Sequence, residues 1–494
     1  MKVWLSLAVV GLYLAPSPAR GQANLSETIG GCKGAPPQAT RTADPSNYLA
    51  KLSKLAPGER LLLAPGIYPR GLPVHGLNGA AGACIVIEGP VTGQRAVFIG
   101  RNCCNTVSIR DASYIVIRHL ELDGQGLAGD AVKAELESAF AHHITLENLL
   151  IHGHDRNQQI VGISTKSPAW NWVIRHSVID GAGTGIYLGN SNGEGEFVRG
   201  LIEHNLIRRT LGYNMQVKHQ TRRNPSTGMP ATASTIIRHN VFSKAQNSTT
   251  GRGARPNLLV GHWPLSGPGS SDIYQIYGNL FYQNPTEALF QGEGHVALHD
   301  NLFIKDQAPR GFPAIAIQPH NDVPKTVEVF HNTVVAFGPG IKIVGADGSF
   351  QQLARANAVF SAAPNIVVPT ALKNVVDLYE NAGNYLVDTT SAIGAGLDLF
   401  PLAGALVGAA ADLSGLTAYA DWDRDFNGAA RDGRFRGAYA EEGTNPGRSL
   451  ALATLPLHAT AQSLDEKIGD YLAEEVRSRG IPGLTSARQS SRSR

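Results

Sequence analysis

Ile202-Glu-His-Asn-Leu-Ile207 is one copy of a phrase that returns, with small changes, through the middle of this 494-residue chain. Upstream it reads Ile117-Arg-His-Leu-Glu-Leu122, Leu146-Glu-Asn-Leu-Leu-Ile151 and Ile174-Arg-His-Ser-Val-Ile179. Downstream it begins again at Ile237, Ile276, Leu298 and Val329, with a degraded copy around Leu353. One residue of each copy serves as a marker: Leu120, Leu149, Ser177, Asn205, Asn240, Asn279, Asn301, Asn332 and Asn357. Successive markers are 29, 28, 28, 35, 39, 22, 31 and 25 residues apart. A loose period of that size, carried by short apolar strands, marks a solenoid in which each coil buries the side chains of its neighbours.

Within the phrase, Ile and Val at alternate positions suit a pleated, half-buried surface, so each copy reads as a strand, a bend and a second strand. No coil contains a helical stripe long enough to cover a sheet. From Asn205 onward the marker is Asn in every copy. Asn tolerates left-handed backbone at a tight bend, and its amide can bond to the Asn of the next coil, which makes an internal polar ladder. On these features the chain resembles the right-handed parallel β-helix superfamily, which includes pectate lyases and the group of alginate lyases and chondroitinase B. The resemblance implies an all-β, right-handed parallel β-helix solenoid.

Both ends extend that expectation. Residues 1–23 read as a signal peptide: Lys2, an apolar run from Val3 to Ala15, then small residues through Ala23. The run is shorter than the roughly 20 residues that span a bilayer, so a secreted or periplasmic protein with no membrane insertion is expected. Residues 24–105 read as an N-terminal cap and first coils, with a short helix from Tyr48 to Leu55. The passage Leu55-Ala-Pro-Gly-Glu-Arg-Leu-Leu-Leu-Ala-Pro-Gly-Ile-Tyr68 resembles the opening of the alginate lyase and chondroitinase B group, where a helix covers the first coil. Residues 106–440 are the expected β-helix. Asp398-Leu-Phe-Pro-Leu-Ala-Gly404, Asp425-Phe-Asn-Gly428 and Arg436-Gly-Ala-Tyr439 resemble a closing segment of secreted β-helix proteins. Residues 441–494 form a C-terminal extension, in which Ser463 and Glu466 make a capping box ahead of an amphipathic helix bearing Leu464, Ile468, Tyr471, Leu472 and Val476.

The 55 glycines suit many tight bends, and a formal charge of +3 on 494 residues gives no support to nucleic-acid binding. A monomer is the expected state. The four cysteines, Cys32, Cys84, Cys103 and Cys104, all lie in the first quarter of the chain. In an exported protein they fit a disulfide from Cys32 to Cys103 or Cys104 across the cap, or buried free thiols, and they lack zinc-site spacing.

Candidate chemistry lies on a second set of strands between the phrases, including Tyr213-Asn-Met-Gln-Val-Lys-His219, Asn257-Leu-Leu-Val-Gly-His262 and Ala288-Leu-Phe-Gln-Gly-Glu293. Stacked in register, Asn190, His219, His262, Glu293 and His320 would form a row, with rungs about 4.8 Å apart. Insertions from Lys218 to Ser234, Ala245 to Pro256 and Trp263 to Ser271 would wall a cleft beside it. A polysaccharide lyase must neutralise a uronate carboxylate, remove the C5 proton and protonate a leaving oxygen. Lys218 or His219 is the expected base, Arg222, Arg223 and Arg255 the carboxylate partners, and His262 or Glu293 a second proton-transfer group. Trp263, Phe290 and Tyr187 are candidate sugar-stacking rings or ordinary packing, and His320 joins the substrate-binding set. The resemblance implies a Lys or Arg base, with calcium in many of the lyases. A dense run of aspartates for calcium is lacking; Asp123 and Asp180, at equivalent repeat positions, read first as turn residues. The recurring His119, His176, His204, His239 and His331 read as structural. The expected function is therefore lyase action on an acidic polysaccharide. An epimerase, a glycoside hydrolase using Glu293 and Glu287, and a non-catalytic carbohydrate-binding protein are the alternatives.

Overall fold

The computed structural model describes residues 29–32, 37–136, 140–307, 311–447 and 449–455. The expected signal peptide and amphipathic C-terminal helix both lie outside them. The chain is a parallel β-helix. A representative coil runs through strands Leu201–Glu203, Leu206–Arg208 and Met215–Val217. Each pairs in parallel with the matching strand of the next coil: Ser234–Arg238, Val241–Ser243 and Leu258–Val260. The first strands of all coils stack into a 15-stranded sheet. The second and third strands stack into two further faces, which merge into a 21-stranded sheet where Thr333–Ile343 and Ala358–Val367 run through both. Inward side chains such as Ile202, Ile237, Phe242 and Phe281 form one continuous aliphatic and aromatic core, because parallel strands buried between coils bury their apolar side chains at every rung.

The asparagine ladder is present. Nδ2 of Asn205, Asn240, Asn279, Asn301 and Asn332 donates to Oδ1 of the next Asn at 2.9–3.0 Å. It continues one rung further, from Asn357 to Asn374. The left-handed backbone, however, belongs to the residue before the marker, not to the marker. His119, Asn148, His176, His204, His239, Gly278, Asp300 and His331 all have φ between 50° and 63°. The recurrent histidine is therefore the bend residue, one of the few side chains that tolerate this conformation, and burial depresses the pKa of His176 to about 4.

A second ladder precedes that bend. Glu88, Arg118, Glu147, Arg175, Glu203 and Arg238 are register partners on successive coils. Arg118 meets Glu88 at 2.6 Å, Arg175 meets Glu147 at 3.1 Å and Arg238 meets Glu203 at 2.7 Å. Burial alone would raise the Glu147 carboxyl, but Arg175 and Arg118 on the flanking rungs outweigh it and hold it below its ordinary value. Beyond Arg238 the column turns aromatic: Tyr277, His299 and Phe330 stack with centroids 4.7 and 4.5 Å apart.

The ends differ from expectation in two ways. The N-terminal helix is five residues, Tyr48–Leu52, shorter than the Tyr48–Leu55 expected. The disulfide joins Cys32 to Cys84, not to Cys103 or Cys104. The segment from Ile29 lies against the outer side of the first face, where Ile29 packs with Val173, Leu201 and Ile236, and Gly82 donates to the Gly31 carbonyl. Cys84 stands at the start of strand Ile85–Glu88 on that same face, whereas Cys103 and Cys104 lie between Ala96–Ile99 and Val107–Arg110 and pair with each other. At the other end, the chain after Asp377 turns back along the outer side of the second face. Leu399, Phe400, Leu406 and Tyr439 cover Leu206, Val241, Leu280 and Leu302, and Arg431 pairs with Asp300.

Candidate functional site

The third face is the one flanked by the long loops. Its strands are short because each must end where a loop leaves, and the long loops leave from both edges. At one edge, the loop ahead of Leu258–Val260 folds back over earlier coils. Gln158 Nε2 donates to Gly253 O at 2.7 Å, and Thr249 N to Leu211 O at 3.0 Å. At the other edge, the insertion after Val217 also runs back: Thr221 N donates to Gly193 O, Gln220 Nε2 to Phe197 O, and Met229 packs on Trp170 and Val198. The two insertions thus wall one groove.

Its floor follows from the register. Ser164 pairs with Tyr187, Tyr187 with Gln216, Gln216 with Leu259, and Leu259 with Gln291. Two residues further along each strand, the same register gives a column of Lys166, Gly189, Lys218, Gly261 and Glu293. The next column holds Asn190, His219 and His262. The expected row is thus real for Asn190, His219 and His262, whose last two rings are 5.2 Å apart, but Glu293 belongs to the Lys218 column.

Lys218 and His219 are half-buried in the groove. Burial pushes the Lys218 ammonium below its ordinary value, with Glu293 opposing. Burial, then Lys218 and His262, push His219 below 6.5, so its imidazole is neutral at pH 7. Its Nδ1 is enclosed without a hydrogen-bond partner. His262 Nδ1 lies 2.6 Å from the Trp263 carbonyl, which fixes that nitrogen as the donor. Lys166, which sequence reasoning missed, sits 3.5 Å above the Tyr187 ring. Burial, then Lys133 and Lys218, bring its pKa down from 10.5 to about 8. Only the register of the third face could have found it, since it lies in a coil whose loops carry no insertion.

The remaining candidates are placed elsewhere or occupied. Glu293 is 1% exposed; Oε1 accepts from His262 N, and Oε2 from the backbone of His320, Asn321 and Asp322. It organises the loop that carries the exposed His320. Arg223 is buried against Asp272 and over Trp263, so it braces the insertion. Arg222 is exposed and 3.7 Å from Glu194. Arg255 lies at the opposite edge of the face, bonded to the Arg252 and Ala254 carbonyls and 5.9 Å above Tyr213. Trp263 and Phe290 are in the core, which removes both from a sugar's reach, while Tyr187 stays partly open with its hydroxyl on Ser191.

Calcium finds no fit here. Three acids at the groove are engaged: Glu135 with Arg110, Asp130 with Lys133 and Glu293 with backbone. Among the described residues no group of three or more His, Cys, Asp or Glu side chains gathers to hold a metal ion. Asp180, at the position equivalent to Asp123, is taken by Arg208 and Arg209. Among the described residues no helix is long and apolar enough to cross a membrane.

No family profile matches the chain, and no curated protein is similar to it in sequence. Solved structures are similar in fold. One is a mutant of the PL6 family alginate lyase AlyGC, at 12% identity and a TM-score of 0.44, over 83% of this chain and 60% of that one. The chain thus matches less than two thirds of that lyase's length. Pectate lyase Pel9A matches at 14% identity and a TM-score of 0.39, over 89% and 100%. The GH136 lacto-N-biosidase of Eubacterium ramulus matches at 11% and 0.40, over 69% and 68%. Likenesses at this level say nothing of chemistry. What the chain's own rungs establish is a parallel β-helix whose third face carries Lys166 and Lys218 between loops folded back at both edges.

Proposed function

We propose that this protein is an exported lyase that cleaves an acidic, uronate-containing polysaccharide by β-elimination in the groove over Lys166, Tyr187, Lys218 and His219. The observation that carries this reading is the placing of the half-buried His219 imidazole beside Lys218, on a face flanked by folded-back loops at both edges where, among the described residues, neither Lys218 nor Lys166 has a carboxylate within ion-pair distance. The Lys218 ammonium neutralises the uronate carboxylate, which acidifies the C5 proton. His219 takes that proton, the electron pair becomes the C4–C5 double bond, and the C4–O bond breaks. The His219 imidazolium so formed gives the proton on to the leaving oxygen on the same side of the sugar, so the elimination is syn, while His262, its Nδ1 held by the Trp263 carbonyl, packs 5.2 Å from the His219 ring. The engagement of Glu293 speaks against a hydrolase that pairs it with Glu287, since such an enzyme needs two facing carboxyl groups and both Glu293 oxygens are held by backbone.

The test is ultraviolet absorbance of the new conjugated double bond when the mature chain meets a panel of uronate polymers, with added calcium and with chelator. We expect absorbance on at least one polymer in both conditions, and a fall of about 10²–10⁴-fold in His219→Ala, with Lys218→Ala similarly impaired. Full activity in both variants would remove the site from these residues. New reducing ends without absorbance would make the enzyme a hydrolase. Proton exchange at C5 without cleavage would make it an epimerase, and sugar binding alone a carbohydrate-binding protein.

A further inference from the structure

We propose that the groove reads an acidic polysaccharide at every second sugar, with Lys166 and Lys218 each holding a carboxylate on the same side of a two-fold ribbon. This rests on the polysaccharide reading above and narrows it to chains that present a carboxylate with that repeat. The strands Val161–Thr165, Thr184–Leu188 and Met215–Val217 are in register. Lys166 N donates to Ala134 O and Lys218 N to Leu188 O, so the ladder continues through both lysines and they occupy the same place in their coils. Gly189 lies between them and Gly261 follows, so the column alternates a long cation with no side chain. Gly189 has φ 89°, and a Cβ on Gly261 would lie 2.4 Å from His219 N, so neither position accepts a larger residue without strain. Two rungs of about 4.8 Å put the lysine rungs about 10 Å apart, the length of two 1,4-linked pyranose rings.

The rest of the column is self-contained. Arg110 pairs with Glu135 at 2.7 Å beyond Lys166, and Glu293 is held by backbone beyond Gly261. Among the described residues neither lysine lies within ion-pair distance of a carboxylate; the acid that Lys166 feels, Asp130, is held by Lys133 at 3.3 Å. On the rung between the two lysines stands the partly buried Tyr187, whose ring carries the Lys166 ammonium 3.5 Å over one face and so holds that cation at the groove. In a chain linked 1,4 through equatorial bonds each ring is turned over relative to the last, so carboxylates on one side recur at every second sugar. A polyuronate ribbon and an alternating uronate–hexosamine polymer both meet this condition; a three-fold chain linked through axial bonds does not.

Binding and cleavage are measured in parallel for the mature chain, Lys166→Ala, Lys166→Arg and Lys218→Ala. The probes are poly-β-1,4-mannuronate, an alternating glucuronate–N-acetylhexosamine polymer and polygalacturonate. We expect at least one of the two ribbons to bind tenfold or more tightly than polygalacturonate. We expect each alanine variant to lose roughly tenfold to a hundredfold in ribbon affinity, the range for a charge-assisted contact, and Lys166→Arg to retain it. The proposal is overturned if polygalacturonate binds as well as the ribbons, if no polymer binds, or if Lys166→Ala binds a ribbon like the parent. Ribbon binding that depends on Lys166 without any cleavage would overturn the lyase reading and leave this one standing. Cleavage indifferent to Lys166 would do the reverse.

Discussion

At the scale of the residue, the groove's electrostatics set a pH dependence. The His219 pKa lies below 6.5, so its base form is present at pH 7 and is lost only as pH falls through that lowered value. Lys166 titrates at about 8, so its charge is present at neutral pH and is lost as pH rises past that point. We therefore expect kcat/KM against pH to hold flat near neutrality, with an acid limb below 6.5 and an alkaline limb near 8. Lys166→Arg should move the alkaline limb upward, because a guanidinium stays charged; an unmoved limb would assign it to another group. Lys218 and His219 were legible in the sequence because they open the longest insertion. Lys166 was not, because its neighbours in space are two coils away in sequence. Nor was the engagement of Glu293 legible, since its four partners are backbone N–H groups of two different loops.

At the scale of the element, the coil is fixed by two ladders on either side of one bend. Asn279 donates to Asn301 and to the carbonyls of Ile237 and Tyr277, and accepts from Asn240. Asn279→Ala should cost about 2–4 kcal/mol, since it deletes hydrogen bonds and leaves buried partners unsatisfied. Chemical denaturation measures this; a cost under about 0.5 kcal/mol would be that of an ordinary surface substitution. The Arg and Glu alternation of the neighbouring column specifies register, because a slip by one coil sets like charges opposite one another. That alternation stands in the phrases as Arg118, Glu147, Arg175, Glu203 and Arg238, but it runs across coils, and spacing along the chain does not show it. The left-handed bend is hidden in the same way: a periodic His and a periodic Asn stand side by side, and only backbone angles separate the bend from the ladder.

At the scale of the whole molecule, the solenoid is held by segments that run along it. The N-terminal strap is tied by Cys32–Cys84, which closes 52 residues of sequence. Cys32→Ser should cost up to about 4 kcal/mol by loop entropy, and a melting temperature unchanged under oxidising conditions would show the tie to be dispensable. The returning C-terminal segment covers the outer side of the second face and reaches His204, whose Nδ1 lies 2.6 Å from the Leu455 carbonyl. This explains why the phrase is apolar at consecutive positions: Ile207 and Phe242 face the core, while Leu206 and Val241 face the returning chain.

The sequence by itself determined the solenoid, its coil boundaries, the asparagine ladder and the face that carries the insertions, because these depend on local repeats that a strand's alternation makes visible. The tertiary structure alone decided which residues share the groove. Lys166 and Lys218, the partners of Glu293, the Cys32–Cys84 tie and the burial of Trp263 and Arg223 depend on register between coils and on where long loops fold back. Insertions of unequal length between rungs erase that register from the linear spacing.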